Sequence, residues 1–255
     1  MALARVAKPR PAKLPLASDV IKAHVQPHHT VVCVGCNLAP HKDPTALYAG
    51  ELLAGGSGKL LLLDAQSRTM WLAARKKIDE CLARGKPPAP KLLEIRARTE
   101  GCDSRLGIGD NVSYRRRIQE LKANGMRVKL PVPVWGDIRN NNLPTGGADA
   151  LIDHGTLEFV TLNSPNKMLE TIGKALAEHL RVLKPGGKAL LFVTDNDIAG
   201  MVERALKEKR LKADFKKHYA EPGFKFAQRH MSFYETNGIV KPARLKHVAI
   251  ILTKR

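Results

Sequence analysis

Acidic residues are scarce in this chain of 255 residues: 24 Asp and Glu stand against 43 Lys and Arg, for a formal net charge of +19 at neutral pH. An excess of that size favours contact with a polyanion such as RNA or an acidic membrane surface, although solvated basic faces give the same total without any such partner. Cysteine is scarce too. Cys33, Cys36, Cys81 and Cys102 are too few and too scattered for a disulfide scaffold, which points to a reducing compartment. Cytoplasmic localisation is the expectation and mitochondrial the alternative. Cys33 and Cys36 form one CxxC, but no second CxxC and no paired histidines complete a zinc site, so no metal is expected and Cys33 reads as packing in an apolar strand. No apolar run approaches the roughly 20 residues of a membrane span, and no signal-peptide core is present at the N-terminus.

What is present alternates between short apolar runs and amphipathic stretches. Residues 1–18 carry Arg5, Lys8, Arg10 and Lys13 with three prolines and no acid, and read as a flexible basic arm. The prolines and the shortage of serine weaken a transit-peptide reading. Ser18 and Asp19 offer an N-cap for a helix over 20–25. TVVCV from Thr30 reads as a buried strand stopped by Gly35, and a helix follows over 44–53. KLLLLD makes a second strand ending on Asp64. The stretch 85–126 is longer than a crossover needs and reads as an insertion. It holds a Pro-rich break over 86–90, a GxG at Gly107 and Gly109, and the run Arg115, Arg116, Arg117.

A third strand is expected over 128–134, made irregular by Pro131 and Pro133, and it delivers the stretch GDIRNNNLPTGGADALID from Gly136 to Asp153. There a polar loop feeds a short buried strand that ends on an acid, and open α/β sheets bind ligands just beyond such carboxyl ends. Met168, Leu169, Ile172, Leu176, Leu180 and Leu183 have helical spacing, which predicts a helix over 166–183. Pro185, Gly186 and Gly187 turn the chain into a strand over 188–194. A helix over 197–211 leads into a basic C-terminal region over 207–246, where Phe215, Tyr219, Phe224, Phe226, Phe233 and Tyr234 are interleaved with lysine and arginine. Such aromatics suit base stacking in a basic groove or, more ordinarily, a core. An apolar strand over 247–253 closes the chain.

The segments GDIRNNNLPTGGADALIDHGTLEFV and ALAEHLRVLKPGGKALLFV resemble the second half of a class I S-adenosylmethionine-dependent methyltransferase, and the resemblance extends from Thr30 to about Asp197. It implies a Rossmann-like doubly wound α/β fold: a mostly parallel seven-stranded sheet with an antiparallel last strand, and an insertion between the second and third strands. Residues 19–255 would form this domain. S-adenosyl-L-methionine is the implied cofactor. Gly35 and Asn37 would line its methionine end, Asp64 would hold the ribose, and Asp137 with the backbone of Ile138 would read the adenine edge. Asp153 and His154 would face the transfer site, His154 as general base because its ordinary pKa lies near neutrality.

The family's GxGxG turn is reduced here to Gly35, with Asn37 and Ala39 at the later glycine positions and Cys33 at the usual acid. Asn tolerates positive φ and keeps such a turn feasible. Asp153 is followed by His154, Gly155 and Thr156 rather than by the Asn-Pro-Pro-aromatic pattern of base amino-group methylation, and no Pro-Cys nucleophile for pyrimidine carbon methylation is present. The implied reaction is transfer to an O or N atom, with a small molecule ahead of RNA as acceptor. A catalytically inactive RNA- or protein-binding module is the alternative. The acceptor pocket is expected among the arm, the insertion and the segment after Asp153.

Overall fold

The computed structural model describes residues 14–35, 45–64, 76–89, 127–129, 131–162, 164–221 and 247–255, with single residues 123, 125 and 224. One eight-stranded sheet runs through it in the order β4-β3-β2-β1-β5-β6-β8-β7. The strands are β1 (Thr30–Val34), β2 (Lys59–Asp64), β3 (Val132–Asp137), the two-residue β4 (Asn140–Asn141), β5 (Ala148–His154), β6 (Leu183–Val193), β7 (Ala213–Ala220) and β8 (His247–Lys254). β1, β2, β3, β5 and β6 are parallel neighbours. β8 runs antiparallel to both β6 and β7, which leaves β7 parallel to the main sheet. This is the Rossmann-like doubly wound sheet with an antiparallel last strand that the resemblance implies, with eight strands in place of the seven expected because the two-residue β4 adds to one edge.

Helices cover both faces. α1 (Ala17–Lys22) and α2 (Thr45–Leu52) lie on one; α3 (Thr156–Leu162), α4 (Met168–Val182) and α5 (Asn196–Glu208) lie on the other. Alternate residues of the central strands serve the two cores: Val31 and Cys33 pack under α1 and α2, while Val32 and Val34 pack under α3 to α5. Burial on both faces is why β1 and β8 read as unbroken apolar runs. Cys33 is fully buried, as its packing reading requires. No helix among the described residues is long and apolar enough to cross a membrane.

Several boundaries differ from the sequence expectations, each for a local reason. The first helix spans Ala17–Lys22, and Asp19 caps it from inside the first turn by accepting the Leu16 N–H at 3.0 Å. β3 is not 128–134 but Val132–Asp137. Pro133 is tolerated because the outer side of β3 is paired with β4 only at Gly136 and Asp137. The turn at Pro185–Gly187 becomes a bulge inside β6: Leu183 pairs with Ala148 and Lys188 with Ala150. Gly186 takes φ +76° there, a conformation suited to glycine. α3 has no counterpart in the sequence expectations, and neither does β7, which lies inside the expected basic region. Most of that region, most of the insertion, and the arm up to residue 13 lie outside the described residues.

Candidate functional site

The chain leaves β1 toward β2 and β3 on one side, while β5 and β6 lie on the other, so the order of connections reverses between β1 and β5. Crevices at such reversals, at the carboxyl ends of the strands, are where open α/β sheets hold ligands. Val34 is level with Asp153 across this boundary, and Gly35, His154, Gly155 and Thr156 follow directly.

Gly35 sits at φ +64°, where a Cβ would lie 2.1 Å from Thr156 Oγ1. Its N–H donates to Leu63 O at 2.8 Å, and the Thr156 hydroxyl donates to Val34 O at 2.9 Å. Glycine is therefore required twice over, by the left-handed backbone and by the close approach of α3. Asn37 lies outside the described residues. Asp64 stands at the end of β2 as expected, level with Trp135 of β3, but its side chain is outside the described set.

Asp137 ends β3. Its carboxylate accepts the Arg139 backbone N–H at 2.8 Å, Arg139 Nε at 2.8 Å and Nη2 at 2.5 Å. The Arg139 hydrogen bonds hold its pKa below the ordinary carboxylate value of 3.8. The expected adenine-reading carboxylate is thus already in a two-pronged ion pair, and Ile138 turns its side chain into the core. The loop beyond is tied to α4, since Arg181 donates to Leu143 O at 2.8 Å and to Asn141 O at 3.0 Å, with Glu178 holding its guanidinium.

A pKa lowered in the folded state stabilises above the unfolded value and loses that contribution as pH falls through the folded one. The Asp137 pair therefore supports the fold fully above about pH 4 and fades below it. A carboxyl-carbon NMR titration is expected to place the Asp137 midpoint below 3.8 in the wild type, with Arg139→Gln returning it toward the ordinary value.

Asp153 does not face a transfer site. It is 1% exposed, and its Oδ1 accepts the N–H groups of Thr156 and Leu157 at 2.8 and 3.1 Å. Its Oδ2 lies 3.2 Å from His179 Nε2, itself buried. The reason is strand alternation: Asp153 projects into the core beneath α4, where it caps α3. Its role is to position α3, and through Thr156 the Gly35 turn.

His154 points to the opposite face. Its Nδ1 is 3.1 Å from Thr45 Oγ1 at the start of α2, and its Nε2 is 3.3 Å from His247 Nδ1 at the start of β8. Ring centroids of Phe192 and Phe224 lie 5.6 and 5.9 Å away. Tyr48 meets Phe224 at 5.6 Å; burial first, then the charges of Glu51 and Asp19, push its phenol up to about 12, so it stays neutral near neutral pH. His154 is thus a partly exposed imidazole held from two sides, against aromatic rings, at the carboxyl edge.

The structure brings Gly35, Asp64, Asp137, Ile138 and His154 to one edge of the sheet and sends Asp153 beneath it. Thr45, Thr156, His179 and His247 are additions that the sequence expectations passed over. His179 was findable, because it falls on the apolar stripe of α4 beside Leu176 and Leu180, and a polar group on a buried stripe demands a partner. His247, as the first residue of a strand, carries no comparable signal.

No family model and no curated protein matches the chain. Among solved structures, a SAM-dependent methyltransferase from Methanosarcina mazei is 10% identical over 92% of this chain and 96% of its own, with a TM-score of 0.47. TrmN from Thermus thermophilus is 13% identical over 93% of this chain and 47% of its own, at 0.47. A putative rRNA methylase from Clostridium thermocellum is 14% identical over 94% of each, at 0.45.

Proposed function

We propose that this chain, whose fold is the Rossmann-like fold of the class I S-adenosylmethionine-dependent methyltransferases, binds that cofactor over β1, β2 and β3 and transfers its methyl group to an oxygen or nitrogen of an acceptor beside His154. The observation that carries the reading is the order of the strand ends. Gly35, Asp64 and Asp137 end adjacent strands on one side of the topological reversal, and His154 stands on the other.

The donors present suit an adenosyl group. Asp64 and Asp137 end their strands on this side, and strand-end carboxylates accept hydroxyl hydrogen bonds strongly. When bound, the sulfonium supplies a methyl group that is already activated, so the protein contributes mainly orientation and exclusion of water. Asp153 caps α3 and thereby fixes Thr156 against the Gly35 turn. Thr45 and His247 hold the two ring nitrogens of His154, the group proposed to take the proton lost by an acceptor O–H or N–H when one of these contacts gives way. A ligand that reads Asp137 competes with Arg139 for it.

Calorimetric titration with S-adenosylhomocysteine tests the reading. Binding is expected in the wild type, weakened by about 1.5–3 kcal/mol in Asp64→Ala through loss of charge-assisted hydrogen bonds. His154→Ala should leave cofactor affinity within about 0.5 kcal/mol while lowering turnover, because it lies on the acceptor side. No binding at millimolar ligand would remove the methyl-transfer reading. A fall in affinity for His154→Ala that matches its loss of turnover would move His154 to the cofactor side.

A further inference from the structure

We propose that the outer edge of β7 is a track for the sugar-phosphate backbone of a single-stranded polynucleotide and that it leads to the His154 cluster; resting on the methyl-transfer reading of the carboxyl edge, this makes the acceptor a nucleotide of that strand. β7 pairs only with β8 among the described strands, and directly beyond it Glu221 is bridged to Leu16 of the N-terminal segment. Lys212, just before it, and Lys216, Lys217, His218 and Tyr219 within it are all exposed. Of the nearby acids, Asp214 is engaged by Arg255 and Glu208 by Arg204, while Glu221 directly follows β7 and holds the N-terminal segment through its backbone. Lys212, Lys216 and Lys217 have no acidic partner among the described residues, and the α5–β7 turn adds Lys209 and Arg210, both exposed.

Both faces of this edge are positive. Lys216 and His218 share the α1 face with Lys188, whose Nζ lies 3.1 Å from His24 Nδ1. Burial and then the charges of Lys188, His218 and Lys216 lower the pKa of His24, which leaves it suited to accept a hydrogen bond from Lys188. On the other face Lys217 Nζ stands 5.9 Å from the centre of the Tyr219 ring. An exposed row of charge on an edge strand already protects it from pairing with other chains; direction is what adds function here.

β7 runs parallel to β5 and β6, so it ends at the carboxyl edge, where Tyr219 is level with Val248 and Ala220 with His247. The His247 ring is 5.0 Å from that of His154. The chain also enters the described structure at this end, with Glu221 N donating to Pro15 O at 2.9 Å, directly after the arm that carries Arg5, Lys8, Arg10 and Lys13.

The stretch from Lys212 to Lys217 spans about 16 Å at ~3.3 Å per residue, a short row of lysines along which a linear polyanion can lie. Tyr219 is 46% exposed and offers a ring on which a base can stack. A bilayer surface fits less well, because membrane-lying elements insert a broad apolar face, and Tyr219 is the one exposed large hydrophobic among the described residues of this edge.

The test is fluorescence anisotropy of a labelled mixed-sequence RNA oligonucleotide of about ten nucleotides, titrated with the full chain between roughly 50 and 200 mM salt. Lys212→Glu, Lys216→Glu, Lys217→Glu combined should weaken binding roughly tenfold or more and lower the log–log salt slope by about 2, near 0.7 per lost phosphate contact. A control combining Lys59→Glu, Lys76→Glu and Lys77→Glu, all exposed, makes the same change in net charge away from β7 and should bind nearly as the wild type does. The combined Gln variants at 212, 216 and 217 serve if the Glu set does not fold. Wild-type binding by the β7 variant overturns the track, as do equal losses in both sets, or capture by phosphatidylserine vesicles with no RNA binding. If RNA binding needs the β7 lysines but S-adenosylhomocysteine does not bind the wild type, the track stands and the methyl-transfer reading falls.

Discussion

Asp153→Ala is expected to destabilise the fold by about 3–5 kcal/mol, the range for removing one partner from a buried ionic or strongly hydrogen-bonded pair. The substitution strands three groups at once: the N–H groups of Thr156 and Leu157, and the imidazole of His179. Leu157 and His179 have no room to reach water, being 0% and 2% exposed, while Thr156 is half-buried. Urea denaturation monitored by far-UV circular dichroism measures the loss, and Asp153→Asn should lose less because its amide oxygen still caps α3. Combining Asp153→Asn with His179→Gln should recover part of the difference, as residues in one network are not additive. A loss below about 1 kcal/mol for Asp153→Ala would mean that the capping contacts contribute little, and would return this carboxylate to consideration as a site residue.

Gly35→Ala is expected to cost about 2–4 kcal/mol and to abolish S-adenosylhomocysteine binding. Two effects add. A left-handed backbone conformation costs an L-residue roughly 1–2 kcal/mol, and the new methyl would meet Thr156 Oγ1 at 2.1 Å and its Cγ2 at 2.9 Å. Relief requires the Thr156 side chain to swing away, which breaks its bond to Val34 O and loosens the start of α3. Overpacking of this kind typically costs about 1–3 kcal/mol. In Gly35→Ala with Thr156→Ala the clash term should largely vanish while the backbone term remains, so a double-mutant cycle on denaturant midpoints separates them. Additivity within about 0.5 kcal/mol would show that the turn relaxes independently of α3.

These two substitutions also mark where sequence reading stops. An acid at the end of an apolar strand is visible in the letters, and for Asp64 and Asp137 the position it implies is the one observed. The same pattern at Asp153 is misleading, because strands alternate and a single residue decides the face. Asp153 goes down to His179 and His154 goes up to Thr45 and His247. His247 lies 93 residues from His154 along the chain, and only the antiparallel insertion of β8 beside β6 brings the two rings together.

The alternation of apolar runs with amphipathic helices and the resemblance from Thr30 onward were sufficient for the doubly wound fold, and with it for the sheet edge at which Gly35, Asp64, Asp137 and His154 lie. They are sufficient because burial on both faces of a parallel strand, and a helix's 3.6-residue stripe, leave local signatures. β7 leaves none: its lysines satisfy an exposed edge, not a core, and its alternation is masked by charge on both faces. What pairs with Asp137, where Asp153 points, and which strand edge exposes Lys216 and Lys217 were decided by tertiary packing, because each depends on contacts between segments whose order in the chain does not reveal their adjacency.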